Sequence, residues 1–373
     1  MDFRLTDEQT ALRATLSRWI ERDYDFETRW RILRSPAGWS ETVWQTMSEL
    51  GITALPVPES AGGIGGGGIE LMLTMEALGR GLVLEPYLGC VVLPARVLAA
   101  LGLDAQTSEW LGGIAQGRLR FALGWSEPGQ RYERSPVQTR ARVKGGQWRL
   151  SGRKVTVLGG DCAHHLLVTA CAEDDPAPSL FAVASGAAGV TLLPYPLQDH
   201  TRGADIVFAD APATLVGRRG AALEGLEAAL DTGEAALCAE AVGAMDVLAQ
   251  ITAEYLKTRR QFGRPIGSNQ ALQHRAVDML IEVEMARSMA IEAALATDLP
   301  DAKARARAIS GAKLIVARAS RFVGQQAVQL HGGIGVTHEL NVSHYFKRLT
   351  MISLCLGDID WHLERYGASL LAS

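Results

Sequence analysis

The sequence predicts an α+β protein in three parts: a helical segment, a block of short strands and a C-terminal helical bundle. Apolar residues first recur at helical spacing. Near Leu119 the pattern changes to short runs rich in β-branched and aromatic residues, and from Gly217 the helical period returns. We therefore predict a helical domain over residues 1–118, a β domain over 119–216 and a four-helix bundle over 217–373.

The first part begins with a helix-start signal. Thr6 precedes Glu8 and the apolar run Leu12–Ile20, which indicates an N-cap. Further helices are predicted over Trp39–Leu50, Ile69–Leu82, Leu93–Leu101 and Thr107–Ala115.

The middle part contains seven short segments bounded by turn residues, which is typical of strands. They cover Leu119–Trp125, Val137–Val143, Gln147–Val157, His165–Thr169, Leu180–Ala184, Val190–Leu193 and Asp205–Ala209.

The last part contains four long helical patterns joined by short turns. In the first of them, Leu237, Ala241, Met245 and Leu248 are spaced by three or four residues and form one apolar face. Later helices are predicted over Asn269–Ala296, Asp301–Gln329 and Asn341–Leu371.

Composition and charge describe an ordinary globular chain. Of 373 residues, 47% are hydrophobic and 21% are charged, and 37 Lys and Arg against 41 Asp and Glu leave a net charge of −4. This balance gives no general attraction to nucleic acid or anionic lipid. The five cysteines lie far apart without a CxxC pair, so neither a disulfide framework nor a cysteine metal site is expected.

The sequence also predicts the compartment. The N-terminal segment Met1–Glu8 is acidic and polar, unlike a secretory signal. The best apolar stretch, Cys90–Leu103, is interrupted by Pro94 and Arg96 and is too short to cross a bilayer. We therefore expect a cytoplasmic protein that does not bind membranes.

Two short motifs suggest other functions but lack the context those functions need. Gly63–Gly68 satisfies GxGxxG, but Pro56 and Pro58 precede it where a dinucleotide-binding fold requires a buried strand, so a flexible loop is favoured. His338 and Glu339 begin like the zinc motif HExxH, but position 342 is Val. No metal site is predicted.

Three segments of the C-terminal part together suit a flat, anionic cofactor. Tyr255–Ile266 places arginines at a helix end, where a guanidinium offers paired donors to a pyrophosphate, and Phe262 lies beside them to cover a flat ring. Asn269–Met279 begins the next helix. Gln329–Val336 contains consecutive glycines, whose backbone N–H groups a phosphate can approach closely. Ordinary glycine capping of helices would explain each segment taken alone.

These segments resemble the acyl-CoA dehydrogenase family, whose pattern runs R-x-x-F-G-x-P-I, then Q-x-x-Q/H-x-x-x-A-D-M, then Q-x-x-G-G-x-G. The three parts of the pattern begin here at Arg259, Gln270 and Gln329. The resemblance extends over almost the whole chain and includes Leu5–Gln9 and Ser126–Gly129, the latter similar to the family's T-E-P-x-A-G-S-D. It is greatest to the small subunit of the heteromeric pimeloyl-CoA and sterol-side-chain types.

The resemblance implies a helical domain, a barrel-like β domain and a C-terminal four-helix bundle. It also implies FAD, which extends between β domain and bundle and reaches a neighbouring subunit. Arg259 and Phe262 match the residues that a subunit lends to its neighbour's FAD. Other matches to the cofactor site are, at the adenosine and pyrophosphate end, Gln270, Gln329, Gly332 and Gly333, and, where the β domain meets the flavin, Trp125 and Ser126. The implied substrate is an acyl-CoA, and the implied electron acceptor is an electron-transfer flavoprotein.

The chain departs from the family at the proton-abstracting base. In the family a carboxylate takes the α-proton while hydride leaves the β-carbon for the flavin. Leu356 occupies the position of that Glu, and leucine cannot take a proton. Glu234, beside Gly233 where some relatives place the base, is an alternative candidate, although a helix-start acid or the partner of a nearby arginine is the favoured interpretation. Glu240 is a weaker candidate, and Asp358 is displaced by two residues.

The flavin-facing side of the β domain departs as well. Thr156 and Leu158 replace a Trp and a Thr of relatives, and Gln130–Glu133 replaces A-G-S-D. We expect a subunit of a heteromer, such as a heterotetramer in fatty acid metabolism, whose large subunit carries the base. The alternatives are a homomeric enzyme that uses Glu234 or Glu240, and a flavin-free scaffold.

Overall fold

The structure is a computed structural model, which describes residues 4–371. In it the helices and strands follow the order that the sequence predicts. The helices are α1 (Asp7–Asp23), α2 (Phe26–Leu33), α3 (Glu41–Glu49), α4 (Gly68–Gly81), α5 (Leu93–Ala100), α6 (Ala105–Ala115), α7 (Ala222–Thr258), α8 (Gln270–Ala296), α9 (Ala302–His331), α10 (Asn341–Leu354) and α11 (Ile359–Leu371). The strands are β1 (Phe121–Gly124), β2 (Arg140–Lys144), β3 (Gln147–Leu158), β4 (His165–Ala172), β5 (Asp175–Ala184), β6 (Val190–Pro196), β7 (Arg202–Val216), β8 (Arg260–Gln261) and β9 (Arg264–Pro265). The prediction about a secretory signal rests partly on residues 1–3, which lie outside the described residues.

Side-chain caps fix the starts of the first helices. Thr6 and Gln9 form a reciprocal capping box at α1, as the sequence predicts. Asp25 and Ser40 cap α2 and α3 by accepting backbone N–H groups. Helix α2 is not predicted from the sequence, because eight residues are too few to show a clear helical period.

The chain folds into two compact units, and the division falls inside α7. The helical unit contains the described residues up to Arg34, Gly68–Val83, and the residues from Glu234 onward. The barrel unit contains Ser35–Gly67 and Leu84–Gly233. The domain boundaries after residues 118 and 216 stay a prediction.

In the helical unit, α4 and α7 approach each other through glycines. A Cβ on Gly79 would lie 2.1 Å from the carbonyl oxygen of Glu240, and one on Gly243 would lie 2.0 Å from that of Glu76. Any larger residue at either position would therefore push the two helices apart. Small side chains such as Ala290 also pack α8 closely against its neighbours.

The prediction of one helix over Asn341–Leu371 is wrong, because α10 and α11 are separate helices. Between them Leu356 has a φ of 62° and Gly357 a φ of 146°, values outside the right-handed helical region. Asp358 then caps α11 by accepting the N–H of Trp361 at 3.0 Å.

The strands of the barrel unit close on themselves. β2 pairs with β3, β3 with β7, β7 with β5 and β5 with β4, all antiparallel, and β4 completes the ring by pairing in parallel with β2. β1 is added beside β4 and β6 beside β7. One apolar core includes Leu150, Val168 and Phe181, all fully buried. All seven predicted strands of the β domain are present, with β5 and β7 longer than predicted.

Helix α7 is the one described helix that is long and apolar enough to cross a membrane by length and composition. Of its most apolar 18-residue window, 78% is buried in the fold, as in the core helix of a globular protein. Its apolarity therefore has a packing explanation.

Candidate functional site

A tight hairpin after α7 carries the first two predicted cofactor residues. β8 pairs with β9 across Phe262 and Gly263, whose φ angles of 51° and 81° match the two-residue turns that hairpins favour. The Phe262 ring projects fully into solvent. The backbone of Arg259 is fixed by hydrogen bonds to Tyr255 at 2.8 Å and from Ile266 at 2.9 Å. Its side chain is exposed and makes no hydrogen bond or ion pair with any residue in the range 4–371.

The glycine turn after α9 lies at the same end of the helical unit as this hairpin. The His331 ring stacks on Tyr255 with ring centroids 4.3 Å apart, and the Tyr255 hydroxyl donates to the His331 carbonyl at 3.4 Å. The ends of α7 and α9 are therefore packed together. Gly332 and Gly333 follow on the surface, and a Cβ on either would meet nothing within 4 Å. Their backbone is open to a ligand that a side chain would keep away.

Both predicted glutamines belong to the same end of the helical unit. Gln329 is exposed in the last turn of α9, and Gln270 is exposed as the first residue of α8. The exposed apolar side chains Ile334 and Val336 adjoin the glycine turn. The structure thus brings all six predicted cofactor residues of this unit to one end, where they form a cationic and apolar surface suited to an anion joined to a flat ring.

Two further predicted residues, Trp125 and Ser126, follow β1 in the barrel unit and are half-buried. The Ser126 carbonyl accepts the N–H of Val155 at 3.0 Å, and the ammonium of Lys154 lies 3.4 Å from the Trp125 carbonyl. Lys154 also donates to the carboxylate of Glu127 at 2.7 Å. These bonds fix the segment after β1 against β3.

Lys154 and Glu127 form a fully buried ion pair that the sequence does not reveal. Their side chains are 0% and 1% exposed. Burial lowers the pKa of Lys154 to about 8, although the charge of Glu127 opposes this shift. Burial also disfavours the charged form of Glu127, but Lys154 and Thr139 outweigh it and hold the pKa of that carboxyl below its ordinary value. Each group therefore stabilises the charged form of the other.

Thr156 forms hydrogen bonds with Asp205 and Tyr195 of the barrel unit. It has a φ of 51°, and its N–H donates to the Asp205 carboxylate at 3.0 Å. The Tyr195 hydroxyl lies 2.7 Å from the same carboxylate and 3.3 Å from the Thr156 hydroxyl. A polar network thus surrounds the position that the resemblance assigns to a Trp.

The loop Gln130–Glu133, which the resemblance aligns with A-G-S-D, forms hydrogen bonds within itself. The Glu133 carboxylate accepts the backbone N–H groups of Arg131 at 2.8 Å and Tyr132 at 3.2 Å. Two backbone donors of this loop are therefore already paired with a carboxylate, whose negative charge would repel an anion.

Leu356, at the position that the resemblance assigns to the base, is buried and has hydrogen-bonded residues on both sides of its left-handed conformation. The fully buried ammonium of Lys313 donates to the carbonyls of Cys355 at 2.8 Å and Gly357 at 3.0 Å. Asp358, the nearest acid, is occupied as the cap of α11.

Both alternative base candidates are ion-paired with arginines. Glu234 is fully buried and accepts from Arg365 at 3.1 Å. Glu240 accepts two bonds from Arg348, at 2.5 and 2.7 Å. Either carboxylate would have to leave its partner to take a proton, so the geometry favours a structural role, and their role as base stays a prediction. Sequence reasoning missed both arginines because they lie 131 and 108 residues away.

The surface at the end of the helical unit suits a protein that binds a flat, anionic cofactor, and comparison with known proteins identifies the family. Family models for the acyl-CoA dehydrogenase N-terminal and C-terminal domains match residues 6–118 and 224–371. The acyl-CoA dehydrogenase FadE12 of Mycobacterium tuberculosis H37Rv is 34% identical over 353 residues, which cover 91% of this chain and 89% of that protein.

Two similar solved structures are described by paired names. The Tcur3481–Tcur3483 steroid ACAD is 29% identical, with a TM-score of 0.88 and 98% of each chain covered. The ChsE4–ChsE5 complex from Mycobacterium tuberculosis is 26% identical, with a TM-score of 0.89 and all of each chain covered.

The chain belongs to the acyl-CoA dehydrogenase family. It is an oxidoreductase of a family that depends on FAD, and the predicted fold class is confirmed.

Proposed function

We propose that this chain is a subunit of a heteromeric acyl-CoA dehydrogenase that supplies one side of its partner's FAD site and carries no base of its own. The observation that carries this proposal is the combination of Leu356 at the base position with a complete, exposed set of donated residues around Arg259 and Phe262. The paired names of two similar structures support it.

The residues of the helical unit fit FAD. Arg259 has a guanidinium without a partner among residues 4–371, and Gly332 and Gly333 leave the backbone open. Arg259 would hold the pyrophosphate, the glycine turn with Gln329 would receive the adenosine end, and Phe262 would cover a ring. FAD, when bound, accepts the hydride that leaves the β-carbon of the acyl group.

The barrel unit fits the cofactor poorly. Glu133 occupies two backbone donors with a carboxylate, and the Thr156 network replaces an aromatic wall. Trp125 and Ser126 are the residues of this unit that the resemblance assigns to the flavin. This asymmetry supports one flavin for each pair of unlike chains, with the base and the flavin wall contributed by the large subunit.

The substrate class is an acyl-CoA thioester that undergoes α,β-dehydrogenation, and an electron-transfer flavoprotein would reoxidise the flavin. The cytoplasm is the compartment that we propose. The small residues Gly233 and Thr156 favour a pocket with more room than a linear acyl chain needs, so dicarboxylic, branched and ring-bearing acyl groups are the candidates.

Co-expression with candidate large subunits tests the proposal. The copurified complex should be yellow and should oxidise an acyl-CoA, whereas the chain alone should be colourless. Arg259→Ala should weaken flavin binding by the complex, and Arg318→Ala, at an exposed arginine of α9, is the matched control. A chain that binds flavin and turns over alone would contradict the proposal.

A further inference from the structure

Two cysteines of the barrel unit lie in contact, although 72 residues separate them in the chain. Their sulfur atoms are 4.0 Å apart. Cys90 is fully buried, and Cys162 is half-buried. Both thiols approach the carbonyl oxygen of Gly159, at 3.6 Å from Cys90 and 3.4 Å from Cys162.

The backbone around the pair is built for this close approach. Cys90 belongs to a π-helical turn, Leu88–Val92, an irregularity that often marks functional sites. A Cβ on Gly89 would lie 2.6 Å from the Leu158 carbonyl oxygen, and one on Gly159 would lie 2.4 Å from the Cys90 sulfur. Glycine at both places therefore brings the turn against the end of β3 and keeps the sulfurs together.

The composition of the pair favours redox chemistry over metal binding. Within residues 4–371 no group of three or more His, Cys, Asp or Glu side chains is arranged to hold a metal ion. A disulfide requires the sulfurs to approach to about 2.05 Å. Cys162 is half-buried and so has more room to move toward its partner than the fully buried Cys90.

We propose that Cys90 and Cys162 are a modification site, a thiol pair that a peroxide converts into an intramolecular disulfide. In the first step the Cys162 sulfur attacks the peroxide, the O–O bond breaks, and a sulfenic acid and water form. In the second step the Cys90 sulfur attacks the sulfenic sulfur, the S–S bond forms, and a second water leaves. The two thiols are oxidised by two electrons, and the peroxide is reduced.

The cross-link would join the π-helical turn to the residues that follow β3. Because β3 also carries Lys154 and Thr156, oxidation would restrain the strand that holds the segment after β1. Hydrogen exchange at the backbone of 88–92 and 159–162 should slow in the oxidised protein.

Treatment of the full chain, in its purified complex, with hydrogen peroxide tests this proposal. Peptide mapping should show a reducible link between the peptides that contain Cys90 and Cys162, with the intact mass lower by about 2 Da. Cys162→Ser and Cys90→Ala should each abolish the link, whereas Cys355→Ser, at the other half-buried cysteine, should leave it unchanged. Two independent variants keep the test valid if one of them folds poorly.

Three results would overturn the proposal. They are oxidation of Cys162 to a sulfinic acid while Cys90 stays free, a link between two chains, and no reaction of either thiol under conditions that oxidise Cys355.

Discussion

Replacing Lys154 by Met tests how far one buried ion pair holds the barrel unit together. The change removes the 2.7 Å contact to Glu127 and leaves that carboxylate 1% exposed. Three of its donors remain: the N–H of Gln138 at 2.5 Å, and the N–H and hydroxyl of Thr139 at 2.9 and 2.6 Å. Breaking a buried pair costs about 3–5 kcal/mol, and with these donors in place we expect the lower end, about 3 kcal/mol.

Urea unfolding at pH 7, followed by tryptophan fluorescence, measures this loss, since Trp125 and Trp148 lie in the barrel unit. The double variant Lys154→Met/Glu127→Gln should recover about 1–2 kcal/mol, because no charge is then left without its partner. Lys144→Met, at an exposed lysine paired with Asp210, is the matched control and should cost less than about 1 kcal/mol. The reasoning is refuted if Lys154→Met costs no more than this control, or if the double variant is no more stable than the single one.

Three further predictions concern the helical unit. Arg259→Ala should weaken FAD binding by the complex about tenfold or more, measured by flavin released on dilution; unchanged binding would remove Arg259 from the site. Leu356→Glu should give the isolated chain no activity and should change turnover of the complex less than about twofold, since the base belongs to the partner; a gain in the isolated chain would contradict this. Burial holds the pKa of His331 in the folded protein below its ordinary value of 6.5. As the pH falls, the unfolded chain therefore takes up a proton at this histidine before the folded chain does. The free energy of unfolding that neutral His331 contributes is complete above pH 6.5 and is lost as the pH falls below that value. His331→Phe should make the acid-induced fall in unfolding free energy shallower. An unchanged slope would assign that fall to His164 and His165 instead, because burial also lowers the pKa of each of these residues.

Local signals in the sequence predict much of the fold. The Thr6 cap and the seven strands of the β domain follow from cap chemistry and from side-chain period, which neighbouring residues decide. The closed ring of strands does not follow in this way, because β2 and β4 meet through pairing between distant parts of the chain.

At the break before α11, a local start signal competes with a continuing helical period. Apolar residues continue at helical spacing through Ile352 and Leu356, and a single glycine is tolerated in a helix. Asp358, considered as an acid near the base position, is instead the start signal of the next helix. An Asp three residues before Trp361 is the local feature that marks this start.

The residues of the candidate site also differ in whether local sequence signals reveal them. Arg259, Phe262 and the glycine turn lie within short motifs, so the sequence reveals them. The ion pairs of Glu234, Glu240 and Glu127 depend on side chains that only the tertiary fold brings near, and no spacing rule reports them.

The flavin content of the copurified complex tests the central claim most directly. Absorbance of released flavin, divided by chain concentration, should give one flavin for two unlike chains, about half per chain, and none for this chain alone. One flavin on every chain, or a yellow protein without a partner, would contradict the account.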